Sequence, residues 1–176
     1  MDTHPPEQLK PIAWETLAQD RRRTWWPSAA IAAESIIDAP MADVWSVLVA
    51  LDRYDQWNPF TPRIDRRALE VGASVTLHVQ MRPPPAATLR QVEQITHLDH
   101  ESHRIDWGTL MAHPWVLRAC RTQRLEALGP ERTRYWTEDL FVGALVPVVM
   151  VLYRNAIQRG FEQVASSLKK TCERQT

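Results

Sequence analysis

The 176-residue chain lacks most of the features from which chemistry is read directly. It has two cysteines, Cys120 and Cys172, far apart and without paired spacing, so no disulfide framework is expected. Its five glycines stand singly, which leaves no glycine-rich phosphate loop. There is no Gly-x-Ser-x-Gly elbow, and neither cysteine sits in a nucleophile context; Cys120, in an alternating segment, reads as a small packing residue. An excess of one charge is also missing. Twenty-one basic against 21 acidic residues give zero formal charge, which argues against a dedicated nucleic-acid or membrane-surface binder. No run of about 20 apolar residues is available to span a bilayer, the apolar run 140–153 being too short. Asp2, Pro5, Pro6 and Glu7 stand where a secretory leader needs a basic start and an apolar stretch. A cytoplasmic protein without stable membrane insertion is the expectation.

What is present fits one ordinary globular domain: 44% hydrophobic and 24% charged residues. Tryptophan is the exception. Its eight copies outnumber tyrosine (3) and phenylalanine (3) together, and tryptophan serves cores, interfaces and apolar pockets alike.

The most ordered pattern is at the end of the chain. Val146, Val149, Met150, Tyr153, Ile157, Phe161, Val164 and Leu168 follow at steps of three and four, one apolar stripe on a helix over 145–173. Pro147 suits its first turn, and Lys169, Lys170 and Arg174 suit its last. Gly160 is the poor helix former inside it, so a neighbour is expected to pack close there. Such a helix is about 40 Å long and needs a large partner surface.

The middle of the chain supplies one. A strand over 30–39 leads into a short amphipathic helix through Val44, Trp45, Leu48 and Leu51, then the irregular 52–60 segment. Strands follow over 63–69, 73–81, 87–98, 104–110, 115–127 and 133–142, separated by Val71-Gly72, Pro83-Pro84-Pro85, the polar 99–103, His113-Pro114 and Gly129-Pro130. Short turns without intervening helices imply an antiparallel meander, an α+β fold whose bent sheet wraps the long helix around a cavity. Residues 1–28 form an N-terminal extension, a short helix ending in Arg21-Arg22-Arg23 beside Trp25-Trp26; residues 29–176 form the domain. Basic residues beside aromatics suit nucleic acid or lipid headgroups, but three arginines are a weak signal, and a charged helix end with its tryptophans packed on the domain suits them better.

The order of these residues also resembles a family. Ala39-Pro40, Val44-Trp45, Leu48, Leu51-Asp52, Tyr54 and Trp57-Asn58-Pro59-Phe60, followed by 105–108, Leu125-Glu126, Phe141, Gly143 and Pro147, resemble the START-like (SRPBCC) superfamily and its bacterial polyketide cyclase/dehydrase-like branch. The resemblance spans about 30–173 and implies a helix-grip fold with a hydrophobic-ligand cavity. Arg121 and Gln123 stand where close relatives carry a His and a Phe, and Thr137 and Asp139 where they carry a His and a Glu. Those changes imply a more polar wall, and no catalytic set carries over.

His97, His100 and His103 with Asp99 and Glu101 straddle a turn, where their spacing suits an exposed polar turn better than a metal. Neither a metal nor a cofactor is expected. Alternation puts Arg121, Gln123 and Leu125 on one face, and Tyr135, Thr137, Asp139 and Phe141 on one face of the next strand. Facing the helix, Arg121 and Asp139 become a buried charged pair, serving either structure or a ligand. Trp57-Asn58-Pro59-Phe60 either lines the cavity mouth or closes the core.

The expected ligand-binding set is Trp57, Asn58, Leu77, Val79, Glu93, Ile95, Trp107, Arg121, Gln123, Tyr135, Thr137, Asp139, Met150, Tyr153 and Ile157. Three functions are open. The first is binding of an apolar or aromatic small molecule; the second is an aromatase/cyclase chemistry using Asp139, Glu93 or Tyr135 as acid or base. The third is an interaction module whose tryptophan-bearing prefix docks a partner or forms a homodimer.

Overall fold

The computed structural model describes residues 13–174 apart from 24, 67, 85 and 112, so the first half of the expected prefix helix lies outside the described residues. In chain order come helix α1 (Trp14–Arg23), strand β1 (Ser28–Ile37), helix α2 (Met41–Val49), a 3-10 helix (Leu51–Gln56), β2 (Arg63–Arg66), β3 (Ser74–Val79), β4 (Leu89–Asp99), β5 (Arg104–Met111), β6 (Leu117–Gly129), β7 (Arg132–Val142) and α3 (Val146–Cys172). The seven strands form one antiparallel sheet in the order β1-β7-β6-β5-β4-β3-β2. The chain therefore meanders from β2 to β7, and β1 closes the far side against β7.

The sheet bends around α3. One cause is an irregularity between Ile95 and His97, where β4 slips by a residue against β5; such a bulge sharpens bending and twist. The concave face and α3 enclose the main core, with Leu48, Tyr54, Ile95, Ile105, Tyr135, Phe161 and Leu168 buried. This is the helix-grip arrangement that the order of patterns predicts.

Strand β6 shows how both faces are used. Residues from Leu117 to Gln123 are all buried, because α1 lies over the outer face. There Leu17 packs with Cys120, Leu140 and Val142, while Arg118 pairs with Asp20 at 2.6 Å. The prefix helix thus packs on its own domain. The histidine turn is likewise absorbed by packing: Trp45 Nε1 donates to His100 Nδ1 at 3.0 Å, and His103 meets the same indole edge-on.

Gly160 has its expected close neighbour. A Cβ there would lie 2.2 Å from the ring of Phe60, so only glycine lets that ring seat on α3. Asn58 sets the ring up, its Oδ1 accepting the N–H groups of Phe60 (3.1 Å) and Thr61 (2.8 Å). At the other end of α3, Gly143 (φ 138°) turns the chain from β7 into the helix; its N–H donates to the Pro27 carbonyl.

Candidate ligand cavity

Between α3 and the concave face lie two adjoining chambers of opposite character. The inner one, about 60 Å³, is walled by Leu77 and Val79 of β3, Gln91 and Glu93 of β4, Trp107 of β5, Arg121 of β6 and Asp139 of β7. Phe60, Thr61, Ile157 and Phe161 complete it. The outer one, about 520 Å³, is bounded chiefly by Leu89, Val92, Leu117, Ala119, Val149 and Tyr153. Met81, Gln91, Phe141 and Ile157 belong to both walls.

Alternation explains the lining. Ile95 lies opposite Trp107, Trp107 opposite Arg121, and Arg121 opposite Asp139, one row of inward positions across β4 to β7, with Glu93 two residues from Ile95 on the same face of β4. The Arg121–Asp139 register is the one expected from the sequence, but the expected ion pair is not formed among the described residues. Instead Arg121 Nε donates to Thr137 Oγ1 at 3.0 Å, and the guanidinium lies 4.2 Å from the centre of the Phe161 ring. The ring face and the hydroxyl draw the guanidinium away from its cross-strand neighbour. One Arg121 Nη and Asp139 Oδ1 are left buried without a hydrogen-bond partner, a donor and an acceptor in the wall of the same chamber.

The inner chamber perturbs its carboxyls. Burial raises Glu93 to about 8, with the charge of Asp139 adding to the effect and Arg121 opposing it. Burial also raises Asp139 to about 7 against the pull of Arg121. Both groups therefore exchange a proton close to neutral pH. Tyr135 is raised too, by burial, and its hydroxyl is engaged, donating to Gln123 Oε1 at 2.7 Å.

Of the expected ligand-binding residues, Leu77, Val79, Glu93, Trp107, Arg121, Asp139, Tyr153 and Ile157 line one or both chambers. The others do not. Ile95, Gln123, Tyr135 and Thr137 share the inward face but sit farther from the open end, buried in the core or its hydrogen-bond network. Trp57 is buried with its ring 4.7 Å from Tyr54, Asn58 is committed to the turn before Phe60, and Met150 packs on the edge of the core. The 57–60 run thus closes the core, contributing Phe60 alone to the wall. Among the lining residues missing from the expected set are Gln91 and Phe161, along with Met81, Phe141 and most of the outer wall. Gln91 continues the Glu93, Ile95 alternation backwards, and Phe161 stands one turn beyond Ile157 on the stripe. Among the described residues no group of three His, Cys, Asp or Glu side chains could hold a metal ion.

Comparison with known proteins follows this geometry. The Zhui aromatase/cyclase from Streptomyces sp. R1128 is similar in structure, with a TM-score of 0.69, 19% identity, and 85% of this chain and 96% of that one covered. Norcoclaurine synthase from Thalictrum flavum, in a complex of a point mutant with a transition state analogue, gives 0.66 at 13% identity, covering 87% of this chain and 99% of that one. A START superfamily protein from Mycobacterium smegmatis gives 0.65 at 17% identity, covering 84% and 99%. At these identities the likeness is one of fold. No curated protein matches the sequence. The family described as polyketide cyclase / dehydrase and lipid transport matches residues 28–173, most of the chain, and the protein belongs to that family.

Proposed function

We propose that this protein binds an apolar or aromatic small molecule, lipid-like or polyketide-like, whose body fills the outer chamber and whose polar end reaches the inner one. The observation that carries this reading is the joining of a roomy apolar chamber to a small one holding an unpaired donor on Arg121 and an unpaired acceptor on Asp139. About 520 Å³ lies within the usual span for drug-sized ligands. A buried group without a partner costs about 1–3 kcal/mol, so a ligand oxygen or hydroxyl that satisfies it is selected over a wholly apolar one. Membership of a cyclase and lipid-transport family supports the same ligand class.

The test uses Ile157, which belongs to both walls. Ile157→Trp fills the junction, and we expect it to abolish most uptake of an environment-sensitive apolar dye while cooperative melting persists. Undiminished uptake in a folded variant places the ligand elsewhere. Native mass spectrometry of the protein as purified from cells then identifies what the cavity retains.

A second reading, ring closure or dehydration of a bound polyketide-like chain, is favoured by Glu93 and Asp139. Two carboxyls that titrate near neutrality in one chamber suit general acid and general base on a carbonyl and its neighbouring carbon. Under this reading Glu93→Gln and Asp139→Asn abolish turnover of a poly-β-ketone thioester but keep dye uptake. If both activities survive, the carboxyls are not catalytic.

A further inference from the structure

Net charge hides how the charges are distributed. The connections at the cavity end of the sheet include residues 25–27, 57–62, 80–84, 86–88, 113–116 and 143–145, followed by the first turns of α3. Through Tyr153 these segments contain Arg82 and His113 and not one aspartate or glutamate, and Arg154 comes next. The turns at the other end carry Asp38, Glu70, Asp99, Glu101, Glu131 and Glu173. Zero formal charge thus covers an uneven spread: six carboxylates stand at that end, offset there by Arg132, Lys169, Lys170 and Arg174, and none stands in the cavity-end connections. Asp20, in the helix that leads to Trp25, is ion-paired with Arg118 at 2.6 Å.

The cationic end is also apolar. Trp25 (84% exposed) stacks on Trp26 at 4.5 Å, and Trp26 on Trp115 (50% exposed) at 6.5 Å, a ladder of indoles beside the start of α3. The Ala144 N–H donates to the Trp115 carbonyl, which fixes the ladder against that start. From α3 itself Val148, Val151 (84%) and Leu152 (64%) stand exposed, and Tyr153 joins them to the mouth of the outer chamber. Arg21, Arg22, Arg82, Arg90 and Arg154 are exposed around the same end.

We propose that this end is a docking surface for an anionic lipid bilayer, the indole ladder and the first turns of α3 entering the interface and the arginines meeting lipid phosphates. Clustered exposed tryptophan and aliphatic side chains rimmed by arginine, with no carboxylate in the connecting segments, match the chemistry of the headgroup region. An acidic protein would complement the arginines but leave a ladder this apolar needing a second explanation. No helix of the described residues is long and apolar enough to cross a membrane, so the association is peripheral and reversible. It would place the cavity mouth on the bilayer, yet it does not depend on what fills the cavity: an empty cavity and a docking surface are separately measurable.

The experiment is co-sedimentation of the full chain with vesicles of phosphatidylcholine alone and of phosphatidylcholine mixed with phosphatidylglycerol, at low and high salt. The expected result is retention on the mixed vesicles only, lost at high salt, with a blue shift of tryptophan emission. Val151→Asp with Leu152→Asp should weaken retention about tenfold, and Arg82→Glu with Arg154→Glu at least about fivefold. All four positions are exposed, and unchanged melting checks that the variants fold. Equal retention on both vesicles, or variants that bind like the parent, overturns the proposal. So does a dimer in sedimentation analysis that Val151→Asp dissolves, since the surface is then covered by a second copy.

Discussion

The two halves of α3 carry one apolar stripe and meet opposite fates. In the second half Gly160, Phe161, Val164, Ala165, Leu168 and Cys172 are buried, and polar side chains tie the helix to β1. Ser35 Oγ donates to the Ala165 carbonyl at 3.1 Å, and Lys169 Nζ to the Ile36 carbonyl at 2.6 Å. In the first half Val148, Val151 and Leu152 face outward, and the helix spans a cavity instead of a core. The apolar stripe is continuous in sequence, so hydrophobicity alone does not decide which part is core. The difference lies in what stands opposite: β1 and the Phe60 ring press against the second half, while the first half faces space.

That contrast breaks most readily at Gly160. Gly160→Ala drives a methyl into the Phe60 ring and should cost about 3 kcal/mol or more, whereas Val151→Ala, nearly free of neighbours, should stay within about 0.5 kcal/mol. Denaturant unfolding of both measures it; equal effects would mean that the halves are held alike. The chamber carboxyls at the junction sharpen it next. Glu93 and Asp139 titrate near 8 and 7 in the folded chain but as ordinary carboxylates when unfolded. Between about pH 4 and 8 the folded state thus binds more protons, so stability is fullest below that window and falls as pH rises through it. We expect stability to decline between about pH 5 and 8, a decline flattened in a Glu93→Gln, Asp139→Asn double variant. A parent curve as flat as the variant's would mean that the two groups are not buried as described. The smallest effect concerns the sheet's other face. A chain beginning at Ser28 loses the Leu17 contact and should melt cooperatively with about 2 kcal/mol less stability. Hydrogen exchange should still protect the second half of α3 more than the first; a molten product would make α1 part of the core.

Much of this was legible in the residues because periodicity is a property of neighbours in the chain. The apolar steps outline α3 to within a residue at each end, and alternation sets Arg121 opposite Asp139 on an inward face. What alternation does not carry is depth along the strand. Asp139 reaches the chamber and Thr137, next on the same face, does not, because the sheet's bend and the Phe60 seat decide where open space ends. Nor does register choose partners. Arg121 stands across from a carboxylate, yet its nearest contacts are a threonine hydroxyl and the ring of Phe161, which arrives from a helix far along the chain. Asn58 has the chemistry of a ligand contact, and the turn before Phe60 uses it first.

The placement of the tryptophans makes the protein report on itself optically. Trp107 is sealed in the wall of the inner chamber, and Trp45 and Trp57 are nearly as enclosed, so their emission falls at the blue side of the spectrum. Trp25 and Trp115 stand in water and emit at the red side. Quenching confined to the blue edge follows events inside the cavity, while quenching by soluble iodide at the red edge follows the indole ladder. One unlabelled sample therefore has two colour channels, one for the cavity interior and one for the indole ladder.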